Sequence, residues 1–256
     1  MQDFVSLDRL EKEGYSQIIS YPKPDTGDIS KKLAEMRRLG VTALCFEGTK
    51  KIGNVMVLGK GHVGIVVLAK TDSRLAALKI KRTDSGRASM QHEAEVLKIV
   101  NKVGVGPRLL RCSENLLLME LAEGKPFSQW INDLGDSEDA KYVAQKVLRQ
   151  ILEQCWRLDE VGVDHGELSN ASKHIIVQPN NVVYILDFET ASTQRRVSNI
   201  TSICHYLFLG GATSEIVRKN IVDVDPASLL EALRAYKKSR TPSNFNVILE
   251  IFYEKI

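Results

Sequence analysis

The stretch that most constrains this chain is Val57-Leu58-Gly59-Lys60-Gly61-His62-Val63-Gly64-Ile65-Val66-Val67-Leu68-Ala69. Gly59, Gly61 and Gly64, at G-x-G-x-x-G spacing, separate two apolar, β-branched runs. Glycine tolerates backbone angles that other residues avoid, and it lets main-chain N–H groups come close to a phosphate. The element after the loop decides its type. A helix would make it a dinucleotide-type turn with the phosphate on the helix N-terminus. Here Ile65 to Leu68 favour a strand, so the loop is expected as the turn of a β-hairpin, with Val66 two residues past the last glycine.

The 256 residues suffice for one large domain or two smaller lobes, and the net charge of +3 is spread rather than blocked. Lys237-Lys238-Ser239-Arg240, the densest basic cluster, reads as a solvated helix end, so neither nucleic acid nor a membrane surface is indicated as a partner. No leader-like opening and no bilayer-length apolar run is present, and the expected location is cytoplasmic. Cys45, Cys112, Cys155 and Cys204 stand far apart without a C-x-x-C pair and are expected as reduced, buried thiols.

Residues 1–48 form an extension of their own, expected to be helical and to pack on the lobe after it. Asp28 or Ser30 can cap a helix carrying Leu33, Met36 and Leu39, which Gly40 ends, and Val41 to Phe46 is a strand candidate. Residues 49–122 read as a β-rich lobe. Strands are expected at Val55–Leu58, Val63–Lys70 and Leu75–Lys81, the third containing Ala76-Ala77-Leu78-Lys79. Ser85 or Ser89 can start a helix reaching about Asn101, with Glu93 on the face of Met90 and Leu97, and Glu95 nearly opposite. Two further strands lead to Leu118-Met119-Glu120-Leu121-Ala122. Residues 123–256 read as helical. Asp136 or Ser137 caps a long helix, Asp225-Pro226 starts another, and Phe245, Ile248, Leu249 and Phe252 stripe a last one. Between these helices lie Asp164-His165-Gly166-Glu167, then a short hairpin, then Asp187-Phe188-Glu189.

In this order the pieces resemble the protein-kinase-like superfamily: glycine loop, lysine strand, glutamate helix, hinge, H-G-E-L loop, hairpin and D-F-E. The chain is similar to RIO-type and other minimal atypical kinases, and in particular to compact archaeal predicted Ser/Thr protein kinases. The likeness covers about Val55 to Ser192. It implies an α+β, two-lobed protein-kinase-like fold with a β-rich N-lobe and a helical C-lobe, and ATP with Mg²⁺ or Mn²⁺ as cofactors. Gly59, Gly61, Gly64 and Val66 would then cover the phosphates, and Lys79 and Glu93 would form the phosphate-contacting ion pair. Ala77, Met119, Glu120 and Ala122 would border the adenine. Glu167 would act as catalytic carboxylate, with Asp187 and His174 as metal ligands and Lys173 reaching the γ-phosphate. The substrate would be a protein hydroxyl, the chain's own included.

The departures from that pattern are local. Glu167 stands where the family has Asp, one methylene longer, and a misplacement of ~1 Å can cost on the order of a hundredfold in rate. The second metal position usually holds Asn; here His174 precedes the strand, while Ser172 sits at the uninserted spacing. Glu189 replaces the glycine of D-F-G, and no long activation segment comes after it. A nucleotide-binding pseudokinase scaffold and a small-molecule kinase on the same fold therefore stay open as alternatives.

Overall fold

The computed structural model describes residues 3–10, 12–135 and 137–253. The chain opens with β1 (Phe4–Ser6), α1 (Leu7–Leu10), α2 (Ser16–Ile19), α3 (Thr26–Arg38) and β2 (Val41–Cys45). Next come β3 (Lys50–Ile52), β4 (Val55–Val57), β5 (Gly59–Lys60), β6 (Gly64–Thr71), β7 (Leu75–Lys81), α4 (Gln91–Asn101), β8 (Leu109–Cys112) and β9 (Leu116–Met119). The remainder comprises β10 (Lys125–Pro126), α5 (Phe127–Asp133), α6 (Glu138–Glu160), β11 (Ile175–Val177) and β12 (Val183–Ile185). The helices α7 (Asn199–Cys204), α8 (Ala212–Asn220), α9 (Pro226–Lys238) and α10 (Pro242–Tyr253) complete it. The architecture is mixed α+β, and no helix among the described residues is long and apolar enough to cross a membrane.

The chain divides into two compact units. The first holds Met1–Lys98 with Pro107–Leu121, the second Ile99–Gly106 with Ala122–Ile256. In the first, a seven-stranded sheet runs β1-β2-β6-β7-β9-β8, with β5 paired to β6. Antiparallel partners point to the same face, so the register sorts the side chains. One face carries Ile65, Val67, Ala69, Ala76, Leu78, Ile80, Leu116 and Leu118. These share a core with Leu10, Ile18, Ile19, Ile29, Leu33 and Met36 of the N-terminal helices. Among the described residues up to Gly48, β1 and β2 extend the sheet, and α1 to α3 pack on its apolar face.

Capping chemistry places the helices. α3 starts earlier than Asp28 or Ser30 would set it, because the Asp25 side chain accepts from the Asp28 N–H. α4 begins at Gln91, with the Ser89 hydroxyl accepting from its N–H. Ser137 caps α6, and the other candidate, Asp136, lies outside the described residues. Asp225 accepts from Ala227 and Ser228 at the start of α9, as Asp-Pro predicts. Helices α5 and α8 lie where the sequence analysis identified none. The four cysteines are free thiols, and Cys112 alone is only half-buried.

One buried cation ties the N-terminal helices to the sheet. The Lys32 ammonium pairs with Asp28 at 2.7 Å and donates to the carbonyls of Ile19 at 3.0 Å and Lys81 at 2.7 Å. Desolvation pushes its pKa down, against the pull of Asp28. Lys32→Met removes the shared donor while filling its volume. It should lower stability by about 2–3 kcal/mol, read as a lower urea midpoint at unchanged slope.

Candidate functional site

Four candidate residues of the first unit share the sheet face opposite the core. Gly59 pairs with Val66, Val66 with Lys79, and Ala77 with Met119, so Val66, Ala77, Lys79 and Met119 point to one side. Lys79 and Glu93 are both buried, and the ammonium meets the carboxylate at 2.9 and 3.1 Å. Glu95, nearly opposite around the helix, is tied to Gln91 on the exposed side of α4. The helical period therefore selects Glu93. After β9 the Glu120 N–H donates to the Arg108 carbonyl, and its carboxylate accepts from the Arg108 N–H. Ala122 begins the longer segment of the second unit.

The glycine loop is a hairpin turn between β5 and β6, and Gly64 is needed there for space rather than for angle. None of Gly59, Gly61 and Gly64 takes a positive φ. A Cβ on Gly64 would lie 2.8 Å from Lys79 Cγ and 3.0 Å from the Ile80 carbonyl, whereas one on Gly59 would make ordinary contacts. The Gly61 N–H is engaged by the Gly64 carbonyl at 2.9 Å. Two residues that sequence reasoning passed over hold this loop. Arg82 donates to the Gly61 carbonyl at 2.9 Å, and the Lys60 ammonium donates to the Tyr21 hydroxyl at 2.7 Å. Tyr21 lies in the N-terminal extension, and its carbonyl accepts from Thr83.

In the second unit Glu167, His174 and Asp187 converge, with one ligand atom from each within 4.8 Å of the others. Two anchors bring them together. The Leu186 N–H donates to the His174 carbonyl at 2.7 Å, and His165 Nε2 meets the Leu186 carbonyl at 3.0 Å. Asp187 itself has φ +69°, an uncommon conformation that asparagine and aspartate tolerate better than most residues. The His174 Nε2 lies 2.9 Å from Glu167 Oε2, and its Nδ1 lies 4.0 Å from Asp187 Oδ2. Of the two residues the spacing left open, His174 joins this cluster; the Ser172 hydroxyl instead bonds Asn170 at 3.3 Å. Lys173 is exposed, and Glu189 is buried.

The loop carrying Glu167 hangs on a buried polar network that the sequence analysis did not single out. Asn199 accepts from the His165 N–H at 2.9 Å and donates to the Val163 carbonyl at 2.7 Å and to Asp159 at 2.7 Å. The Tyr236 hydroxyl also donates to Asp159, and desolvation raises that carboxyl's pKa. Asp164 receives Arg195 and Ser198. The available signal was a polar Asp159 directly after Leu158 in an apolar stripe, which a surface charge would also explain.

The fold that carries these two clusters is a mixed α+β chain of two compact units. Over 95 residues, 36% of this chain, it is 30% identical to an uncharacterized protein of Methanocaldococcus jannaschii, 80% of whose length is matched. The chain belongs to the family of that archaeal protein. No protein-family profile matches it.

Gly64→Ala should displace Lys79 or the Ile80 backbone and cost about 1–3 kcal/mol, measured by thermal or urea unfolding, while Gly59→Ala should be far milder. A second expectation concerns acid. Burial lowers the His165 pKa to about 4, below its ordinary value near 6.5. The unfolded chain then binds a proton that the folded one refuses, so stability falls as pH drops from about 6.5 toward 4. That fall should be shallower in His165→Gln than in the native chain, as read from unfolding midpoints across the interval.

Proposed function

We propose that this protein is an ATP-dependent phosphotransferase with a two-lobed, protein-kinase-like fold, acting on a protein hydroxyl, its own included. One observation carries the reading: the buried Lys79–Glu93 pair on the sheet face that also presents Val66, Ala77 and Met119. Burying an ammonium and a carboxylate together seldom gains stability over an apolar pair of similar volume, so such a pair argues for use. A lysine held by a glutamate beside a glycine-turn hairpin suits the α/β-phosphates, and the neighbouring apolar positions suit a base.

Asp187 and His174 are the residues that would hold a divalent ion. The buried His174 Nδ1, with no hydrogen-bond partner among the described residues, fits that assignment. When bound, such an ion neutralises charge on the phosphoryl group being transferred. Glu167 would take the proton of the attacking hydroxyl through whichever oxygen His174 leaves available.

A second reading, a nucleotide-binding scaffold without transfer, is favoured by the 2.9 Å contact between His174 and Glu167, which engages a carboxylate oxygen. Incubation with γ-labelled ATP and Mg²⁺ or Mn²⁺, with and without a generic basic protein, separates the two. ATP with either metal should raise the melting temperature, by about 2.7 kcal/mol of stabilisation at a hundredfold excess over Kd. Lys79→Ala should remove most of that gain. A native chain indifferent to millimolar ATP would sink both readings; a shift without label transfer would leave the scaffold.

A further inference from the structure

In the first unit the glycine turn has its carbonyls tied back. The Gly61 N–H donates to the Gly64 carbonyl at 2.9 Å, and the Arg82 N–H donates to the Val63 carbonyl at 2.8 Å. The Arg82 side chain takes the Gly61 carbonyl through Nη1 at 2.9 Å. No hydrogen bond engages the His62 and Val63 N–H groups among the described residues. Carbonyl oxygens repel an anion and backbone N–H groups attract it, so a turn with its oxygens held by the protein suits a phosphate. All three guanidinium nitrogens of Arg82 are engaged, since Nε and Nη2 hold the Asp84 carboxylate at 2.8 Å each while Nη1 reaches Gly61. A planar fork can do both at once, and a lysine ammonium, a point charge, cannot. Tyr21, from the N-terminal extension, seats this guanidinium, whose carbon stands 5.1 Å from the ring centroid. The Tyr21 hydroxyl also accepts from the Lys60 ammonium at 2.7 Å, on the other flank of the turn. Tyr21 is fixed in turn by its carbonyl, which accepts from the Thr83 N–H at 2.8 Å and the Thr83 hydroxyl at 3.1 Å.

We propose that Arg82 is the positioning residue of the glycine turn, that Tyr21 seats it, and that together they preset the His62 and Val63 amides for a polyphosphate chain. The N-terminal extension is thereby part of the anion site rather than only a cover for the sheet. Neither side chain is assigned a phosphate contact: Arg82 acts through Gly61, and Tyr21 acts through Arg82 and Lys60. The inference deepens the phosphotransferase reading and rests on it for the ligand being a nucleotide, yet anion binding at the turn is measurable without adenosine.

The test uses the full chain, titrated by calorimetry with inorganic tripolyphosphate, ATP and adenosine, and followed through the His62 and Val63 amide resonances. In the native chain tripolyphosphate and ATP should bind, and both resonances should move. Arg82→Ala should weaken both of these ligands by about 10- to 100-fold, the range for a lost hydrogen bond from a charged donor, and leave adenosine binding unchanged. Arg82→Lys, which can reach Gly61 or Asp84 but not both, should recover part of the loss, and it carries the test should the alanine variant fail to fold. Tyr21→Leu should weaken tripolyphosphate by about 2- to 5-fold with the same selectivity, while Tyr21→Phe, which keeps the ring under the guanidinium, should stay closer to the native chain. Equal weakening of ATP and adenosine in the Arg82 variants would show a merely structural role and overturn the proposal. So would native-like tripolyphosphate binding in both variants, or His62 and Val63 resonances that stay still while tripolyphosphate binds; adenosine and ATP binding by the native chain would then leave the phosphotransferase reading in place. Tripolyphosphate binding that follows Arg82 in a chain indifferent to adenosine, with ATP no tighter than tripolyphosphate, would remove the phosphotransferase reading alone. A native chain that binds none of the three would sink both.

Discussion

The ion pair between Lys79 and Glu93 is the interaction around which the first unit is arranged. Taking an ammonium and a carboxylate out of water costs several kcal/mol per ion, and only close, well-aligned contact offsets it. That contact depends on three separate decisions by the chain. The β6–β7 register sets Lys79 on the face away from the apolar core, the helical phase of α4 turns Glu93 rather than Glu95 inward, and Gly64 leaves room for the lysine stem. The N-terminal helices matter to the same end. By covering the apolar face they let the opposite one remain partly polar, which a sheet buried on both sides by hydrocarbon would not permit.

The second unit solves a different problem, which is to hold three ionisable side chains at close quarters on loops. Irregular backbone is fixed there by side-chain hydrogen bonds rather than by ladders. Asn199 satisfies groups at Val163 and His165, Asp159 orients Asn199, and Tyr236 restrains Asp159. The hairpin β11–β12 leads into Asp187 with φ +69°, a conformation of the kind that persists where its surroundings over-determine it. The neighbouring Phe188 is buried, and Gly106 is packed so closely on its ring that a Cβ would come within 2.8 Å. The anchors of the site are therefore largely residues without chemistry of their own.

Local rules wrote a good part of this protein directly into its sequence. Apolar runs bounded by turn residues fixed strands β6, β7 and β9, Asp225-Pro226 fixed the start of α9, and the phase of Met90, Glu93 and Leu97 fixed which glutamate faces inward, because each depends only on a local run, a period or a cap. Tertiary packing decided the rest. Asp25 displaced Asp28 and Ser30 as a cap once the chain before α3 was placed, and Phe4–Ser6 became a strand only by pairing with β2. The loop glycines looked like a demand for unusual backbone angles, yet Gly64 answers to the bulk of Lys79, a residue distant in the chain that only strand pairing brings near. The choice of His174 over Ser172, and the contact between His174 and Glu167, were likewise beyond any spacing rule. They arise where the short helical turn Leu168–Lys173, strand β11 and the end of the β11–β12 hairpin meet, and such meetings have no period to read.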